Sequence, residues 1–298
     1  MDVERDRRNA GNALIDSANQ SLLRGLLSLQ PFFLQAERGY RFCVYHPAVN
    51  GAARGAIIYV HPCAEEMNKS RRMAALQARE MARLGYDILQ IDLLGCGDSS
   101  GDFAEAGWRD WEDDVHMACR WLRTRSDAPL ILWGLRAGCL LAASAAVTLK
   151  EAANFIYWQP VVSGKQHWQQ FIRLKMASEL ASGQAKTVSE QLRRQLSNGQ
   201  SVEIARYTFS PALVESLEAA ELNPPIDLGG RVAWLELSTR EGTSPSPVSR
   251  KCIGQWEAAG GYRLDARMIH GPGFWQSSEI EDAPELIEAT VAVLESWQ

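Results

Sequence analysis

The chain has 298 residues, 46% of them hydrophobic, and a formal net charge of −5 at pH 7. That is enough chain for one large α/β domain and enough apolar material for its core. The mild acidity leaves no basic footprint, so neither nucleic acid nor an anionic membrane surface is expected as a partner.

Met1 to Asn12 is polar and highly charged with no apolar stretch, which does not read as a secretory signal. Ser21 to Phe33 is moderately apolar and reads as a docked arm of the domain. Phe32–Ala36 and Arg41–His46 flank Arg38–Gly39 and predict a strand pair. Gly55–Val60 (GAIIYV) predicts a central strand buried on both faces. Lys69–Leu84 is a helical pattern that stops at Gly85, a helix-ending position. Next come a strand over Tyr86–Asp92, an amphipathic helix over Trp108–Thr124, and a short strand over Leu130–Trp133. An alanine-rich helix over Arg136–Lys150 and a strand over Asn154–Trp158 follow. From Gly164 to Leu222 the alternation breaks into helical patterns with one β-like run, Ser201–Ala205, before Pro224–Pro225. The rhythm resumes with Val232–Leu237, a helix near Val248–Ala259, a strand over Arg263–Ile269 and a helix near Ala283–Trp297. Strands alternating with helices predict an α/β fold, an eight-stranded, mostly parallel sheet with helices on both faces. Residues 164–222 read as a helical lid inserted in one domain spanning 1–298.

The longest apolar run, Cys139 to Val147, is too short to cross a bilayer, so no membrane span is expected. Six scattered cysteines (Cys43, Cys63, Cys96, Cys119, Cys139 and Cys252) form no CxxC pair. They predict free thiols in a reducing cytosol, hence a cytoplasmic location. No clustered Cys and His ligands point to a metal, and no organic cofactor is implied.

Three segments occur in the order an α/β-hydrolase fold requires, and a fourth feature lies ahead of them in the chain. DLLGCGDSSG, Asp92 to Gly101, follows a strand with glycines for a tight turn; it lacks the lysine of a P-loop and the spacing of a dinucleotide-binding turn. GLRAG, Gly134 to Gly138, joins a strand to an apolar helix with glycines two before and two after its centre, the pattern of a nucleophile elbow. Its centre is Arg136, where a serine is expected. Glu241 follows the strand VAWLEL, and His270 follows the last strand, the places of the acid and the histidine of a hydrolase triad. HPCAEEMN, from His61, follows the first central strand, so the backbone N–H groups of Cys63 and Ala137 are the expected oxyanion-hole donors.

Arginine stays protonated and cannot act as a nucleophile. At a helix N-terminus it opposes the dipole unless an anion compensates. Arg136 therefore either binds an anionic group of a ligand or forms an internal ion pair with Glu65, Glu66 or Glu241 that plugs the site. Glu65 and Glu66 are placed in the loop facing the elbow, as an acid or base or as partners of Arg136. His270, backed by Glu241, is a candidate base for activating water directly, or a relic. His61 is expected to hydrogen-bond structurally, while His46, His116 and His167 carry no signal beyond surface or lid placement. Cys63 and Cys139 are weighed as replacement nucleophiles, Cys63 with a pKa lowered by Arg136 and the helix N-terminus. Trp158, Trp168, Phe171 and Trp275 either line an acyl or sugar pocket or pack under the lid.

The strings HPCAEEMNKSRRM, DLLGCGDSSGDF, WGLRAG and WQPVVSGKQ resemble the α/β-hydrolase-type proteins associated with the exosortase A system, the group called hydrolase 2, over nearly the whole chain. The resemblance implies a bacterial setting of exopolysaccharide production and PEP-CTERM protein sorting, and a name of hydrolase without a defined substrate. Two functions follow: hydrolysis of an acyl ester or thioester, with Arg136 holding an anionic group of an acyl or sugar-linked substrate, or a non-catalytic binding or scaffold protein derived from a hydrolase. Homodimerisation is left open.

Overall fold

In the computed structural model, described residues are 29–49, 51–149, 151, 153–179, 185–225 and 228–297. The segment read as an arm falls mostly outside them. Eight strands form one sheet: β1 (Gln30–Gln35), β2 (Tyr40–His46), β3 (Ala56–Val60), β4 (Asp87–Ile91), β5 (Leu130–Leu135), β6 (Ala153–Trp158), β9 (Gly230–Ser238) and β10 (Tyr262–His270). Their spatial order is β1-β2-β4-β3-β5-β6-β9-β10. β1 and β2 pair antiparallel, as do β2 and β4, and every other pair is parallel. This is the α/β-hydrolase fold expected from the sequence.

The central strands are apolar on both faces because helices cover both. Ile58, Leu89, Leu132, Phe155 and Trp234 point into one core. Their neighbours Ile57, Ile88, Ile131, Ile156 and Leu235 point into the other. The period-2 alternation of side chains thus sorts continuous apolar runs into two cores. The helices are α1 (Glu65–Arg83), α2 (Trp108–Arg123), α3 (Ala137–Leu149), α4 (Gly164–Ser178), α5 (Ala185–Ser197), α6 (Pro211–Ala219), α7 (Pro247–Ala258) and α8 (Pro284–Ser296).

Two local expectations need correction. Helix α1 begins at Glu65, four residues earlier than its apolar pattern suggested, so Glu65 and Glu66 form its first turn rather than a loop. Carboxylates there complement the helix dipole. The inserted region also holds two strands, not one: β7 (Val202–Ile204) and β8 (Tyr207–Phe209) make an antiparallel hairpin. Ala205 and Arg206 between them both take positive φ, the two-residue turn such hairpins use. The insertion between β6 and β9 thus comprises α4, α5, the β7–β8 hairpin and α6. Among the described residues no helix is long and apolar enough to cross a membrane.

Candidate functional site

The turn from β5 to α3 centres on Arg136, whose φ is 55°. Its N–H donates to the Trp158 carbonyl at 3.0 Å, and its own carbonyl accepts from Cys139 N at 3.0 Å, so the strained conformation is held from both sides. The flanking glycines are sterically required. A Cβ at Gly134 would lie 2.7 Å from Cys139 N, and one at Gly138 only 2.2 Å from the Val60 carbonyl oxygen.

The Arg136 side chain is buried and held by Glu66, Gln170 and Trp275. Its Nε donates to Glu66 Oε1 at 3.2 Å, and its Nη2 donates to Gln170 Oε1 at 2.8 Å. The guanidinium carbon also sits 5.4 Å from the Trp275 ring centroid, a cation–π contact. Glu66 comes from the first turn of α1, Gln170 from α4 of the insertion, and Trp275 from the loop after β10. Of the three glutamates expected as partners, Glu66 takes the role. Glu65 pairs instead with Lys69 at 3.3 Å. Glu241 is exposed.

His167, which carried no signal in the sequence, stands in the same cluster. Its Nδ1 lies 3.3 Å from Gln170 Oε1 and its Nε2 3.7 Å from Glu66 Oε2. Burial pushes its pKa down to about 4; nearby Arg136 acts in the same direction, while Glu66 and the Gln170 hydrogen bond oppose it. The ring is therefore neutral near pH 7. Gln170 Oε1 can only accept, so Nδ1 carries the proton and Nε2 is a bare acceptor. The retrievable signal was spacing: His167, Gln170, Phe171 and Leu174 follow an i, i+3, i+4, i+7 pattern that sets them on one helix face.

A cavity of about 290 Å³ adjoins this cluster, lined by Glu66, His167, Gln170, Phe171, Arg173 and Trp275 among others. Of the four aromatic residues singled out, Phe171 and Trp275 line it. Trp158 and Trp168 are buried core, Trp158 donating through Nε1 to Thr290 at 2.9 Å.

The other candidates take structural places or stand apart. Cys63 and Ala137 line one small void of about 10 Å³, roughly the room of a single water. The Cys63 thiol is pushed well above its ordinary pKa by burial, with Cys96 and Glu66 adding to it, so the expected lowering by Arg136 does not occur. Cys139 is raised likewise by burial, which outweighs Arg136. All six cysteines are buried free thiols. His61 is structural, as expected: Nδ1 faces the Pro62 carbonyl at 2.8 Å and Nε2 accepts from Leu93 N at 3.2 Å. That bond helps order the glycine-rich loop. There the Asp92 carboxylate accepts from Arg71 at 2.8 Å and Asp98 N at 3.0 Å, and Asp114 accepts from Leu94 N at 2.7 Å. His270 is the exposed last residue of β10, three strands from β5 in the sheet. No hydrogen bond or ion pair joins it to Glu241 among the described residues. No group of three or more His, Cys, Asp or Glu among those residues is arranged to hold a metal ion.

The fold has solved relatives. The ferulic acid-bound Est1E of Butyrivibrio proteoclasticus superposes with a TM-score of 0.61 at 12% identity, covering 89% of this chain and 98% of that one. A thermostable carboxyl esterase of Bacillus coagulans, in complex with glycerol, gives 0.60 at 11% identity, covering 91% and 99%. At such identities the likeness is one of fold. In sequence, protein ABHD12B of Homo sapiens is 30% identical over 110 residues, which are 37% of this chain and 29% of that protein. Residues 51–223, more than half of the chain and including β3, the elbow and most of the insertion, match the family described as serine aminopeptidase, S33, and the chain belongs to that hydrolase family.

Proposed function

We propose that this member of the family works by binding a ligand beside its elbow rather than by forming a serine acyl-enzyme. Arg136 stands where the nucleophile is expected, and a guanidinium cannot attack a carbonyl. One observation carries the reading: the Arg136 charge is already paired with Glu66, and Gln170 and Trp275 hold the same guanidinium, so its charge is not free for a substrate anion. Room for a ligand lies beside the cluster rather than at the elbow itself. The insertion serves as a lid, since α4 supplies Gln170 and His167 to the cover. The resemblance of the sequence sets this role in bacterial exopolysaccharide production, on the cytoplasmic side.

The competing reading is hydrolysis of an acyl ester or thioester by water activated at His270, with Glu241 behind it. It is supported by the exposure of both residues at the carboxyl end of the parallel strands β9 and β10. Turnover of a panel of acyl esters and acyl-thioesters separates the two. The unmodified chain is expected to be inert across the panel. Turnover that disappears in His270→Ala establishes the hydrolytic reading instead.

A further inference from the structure

We propose that the apolar groove between β2 and α1 is the seat of the chain's own arm, with Ser21–Ser28 lying in it as a short helix whose leucines face the groove. The groove holds about 300 Å³. Pro31 of β1 with Phe42 and Val44 of β2 forms one wall, and Met67, Ala74 and Ala75 of α1 form the other. Leu29 lines the groove too, and it is the first of the described residues. The chain before it is therefore tethered at the groove itself. Beside the groove, Phe33 is 61% exposed although its ring lies 5.5 Å from that of Phe42. An apolar sheet face left this open at an edge calls for a cover.

The sequence just before Leu29 fits that cover. In SLLRGLLS, Leu22, Leu23, Leu26 and Leu27 fall at i, i+1, i+4 and i+5, one face of a helix, with Arg24 and Gly25 on the other. The lengths agree. Along β2 the groove runs from Phe42 to His46, about 13 Å at the rise of a strand. Along α1 it runs from Met67 to Ala75, about 12 Å at the rise of a helix. Eight helical residues also rise about 12 Å. The direction follows from pairing: Gln30 of β1 sits opposite Tyr45, so the arm enters at the His46 end of the groove and runs towards Phe42. A segment this short, with a glycine inside it, does not hold a helix alone, so burial of its leucines must supply the stability. None of these residues belongs to the Arg136 cluster, so the arm's seat stands apart from the binding reading above.

Disulfide crosslinking of the full chain by air oxidation tests the seat. All six native cysteines are buried, so an introduced pair reacts selectively. Leu26→Cys with Ala75→Cys is expected to crosslink within one chain about tenfold faster than Arg24→Cys with Ala75→Cys, because Arg24 faces away from the groove. Trypsin gives a second readout that needs no new cysteine. Cleavage after Arg24 requires the arm to lift, so Ala75→Glu, a partly exposed change on the groove wall, should speed it about tenfold and leave cleavage after Arg8 unaltered. Equal crosslinking of the two cysteine pairs overturns the seat, as does an unchanged rate at Arg24 in Ala75→Glu. A disulfide that joins two chains, seen as a dimer on a non-reducing gel, overturns the own-chain seat in favour of an arm exchanged between copies.

Discussion

At the scale of single residues, Arg136 is held against two local preferences. A left-handed backbone costs a non-glycine residue about 1–3 kcal/mol. A cation at a helix N-terminus works against the dipole by roughly 0.3–1 kcal/mol. Glu66, with its side chain 15% exposed, offsets both only while the pair stays together. Arg136→Met should therefore destabilise the chain by about 3 kcal/mol, because it strands a nearly buried carboxylate. Arg136→Met combined with Glu66→Leu should recover at least half of that, since neither charge is left alone. Urea unfolding of the two single variants and the double variant checks this, and strict additivity of the singles would contradict it.

His167 makes a prediction in pH. Its folded pKa, about 4, lies below the ordinary value of 6.5. Between those values the unfolded chain binds a proton that the folded chain does not, so stability falls as pH drops from about 6.5 towards 4. The groups facing the ring are Glu66 from α1 and Arg136 from the elbow, with Gln170 on its own helix. The full loss attributable to His167 is about 3 kcal/mol. His46 and His61, also lowered by burial, add slope in the same direction. Comparison with His167→Phe isolates its share: the variant's stability should fall less steeply between pH 6.5 and 4 in matched urea titrations.

At the scale of elements, glycines set how closely the insertion can approach the sheet. A Cβ on Gly164 would lie 1.7 Å from the Leu217 carbonyl oxygen, so α4 starts in van der Waals contact with the end of α6. Gly164→Ala must push these helices apart, at a cost of about 2–3 kcal/mol, and it displaces the helix that carries His167 and Gln170. Gly254 in α7 is the control, since a Cβ there meets nothing within 4 Å. Gly254→Ala should stabilise by about 0.5–1 kcal/mol through helix propensity alone. Thermal unfolding of the two variants should move in opposite directions.

At the scale of the whole molecule, the insertion and the sheet share a core. Trp168, Phe171, Leu213 and Leu217 of the insertion belong to the same buried cluster as Leu132 and Phe155 of the sheet. Burial of this kind cannot be released from one part alone, so 29–297 should unfold in one cooperative step. Coincident urea transitions by far-UV circular dichroism and tryptophan fluorescence are expected. A separate early transition would show that the insertion is an independent unit.

Much of this was legible along the chain. The order of strands and helices is written in apolar runs and their breaks, because the central strands bury both faces and an amphipathic helix such as α2 buries one stripe. Gly134 and Gly138 exposed the elbow, because only glycine allows helix and strand to meet so closely there. Read as the centre of the elbow, Arg136 argued against a serine nucleophile at that position before any coordinates, because protonation of a guanidinium is intrinsic. What tertiary structure decided is which partner Arg136 takes and what covers it. Glu65, Glu66 and Glu241 were equal candidates in sequence; α1 starting at Glu65 turns Glu66 toward the elbow and Glu65 toward Lys69. His167 and Gln170 lie more than 30 residues beyond the elbow, on a helix that reaches it only after the insertion folds back. Burial likewise settled the state of Cys63, whose thiol rises through desolvation, with Cys96 and Glu66 pushing it the same way. Contacts between distant segments, and the loss of water they bring, are properties of the packed chain and not of any stretch of its sequence.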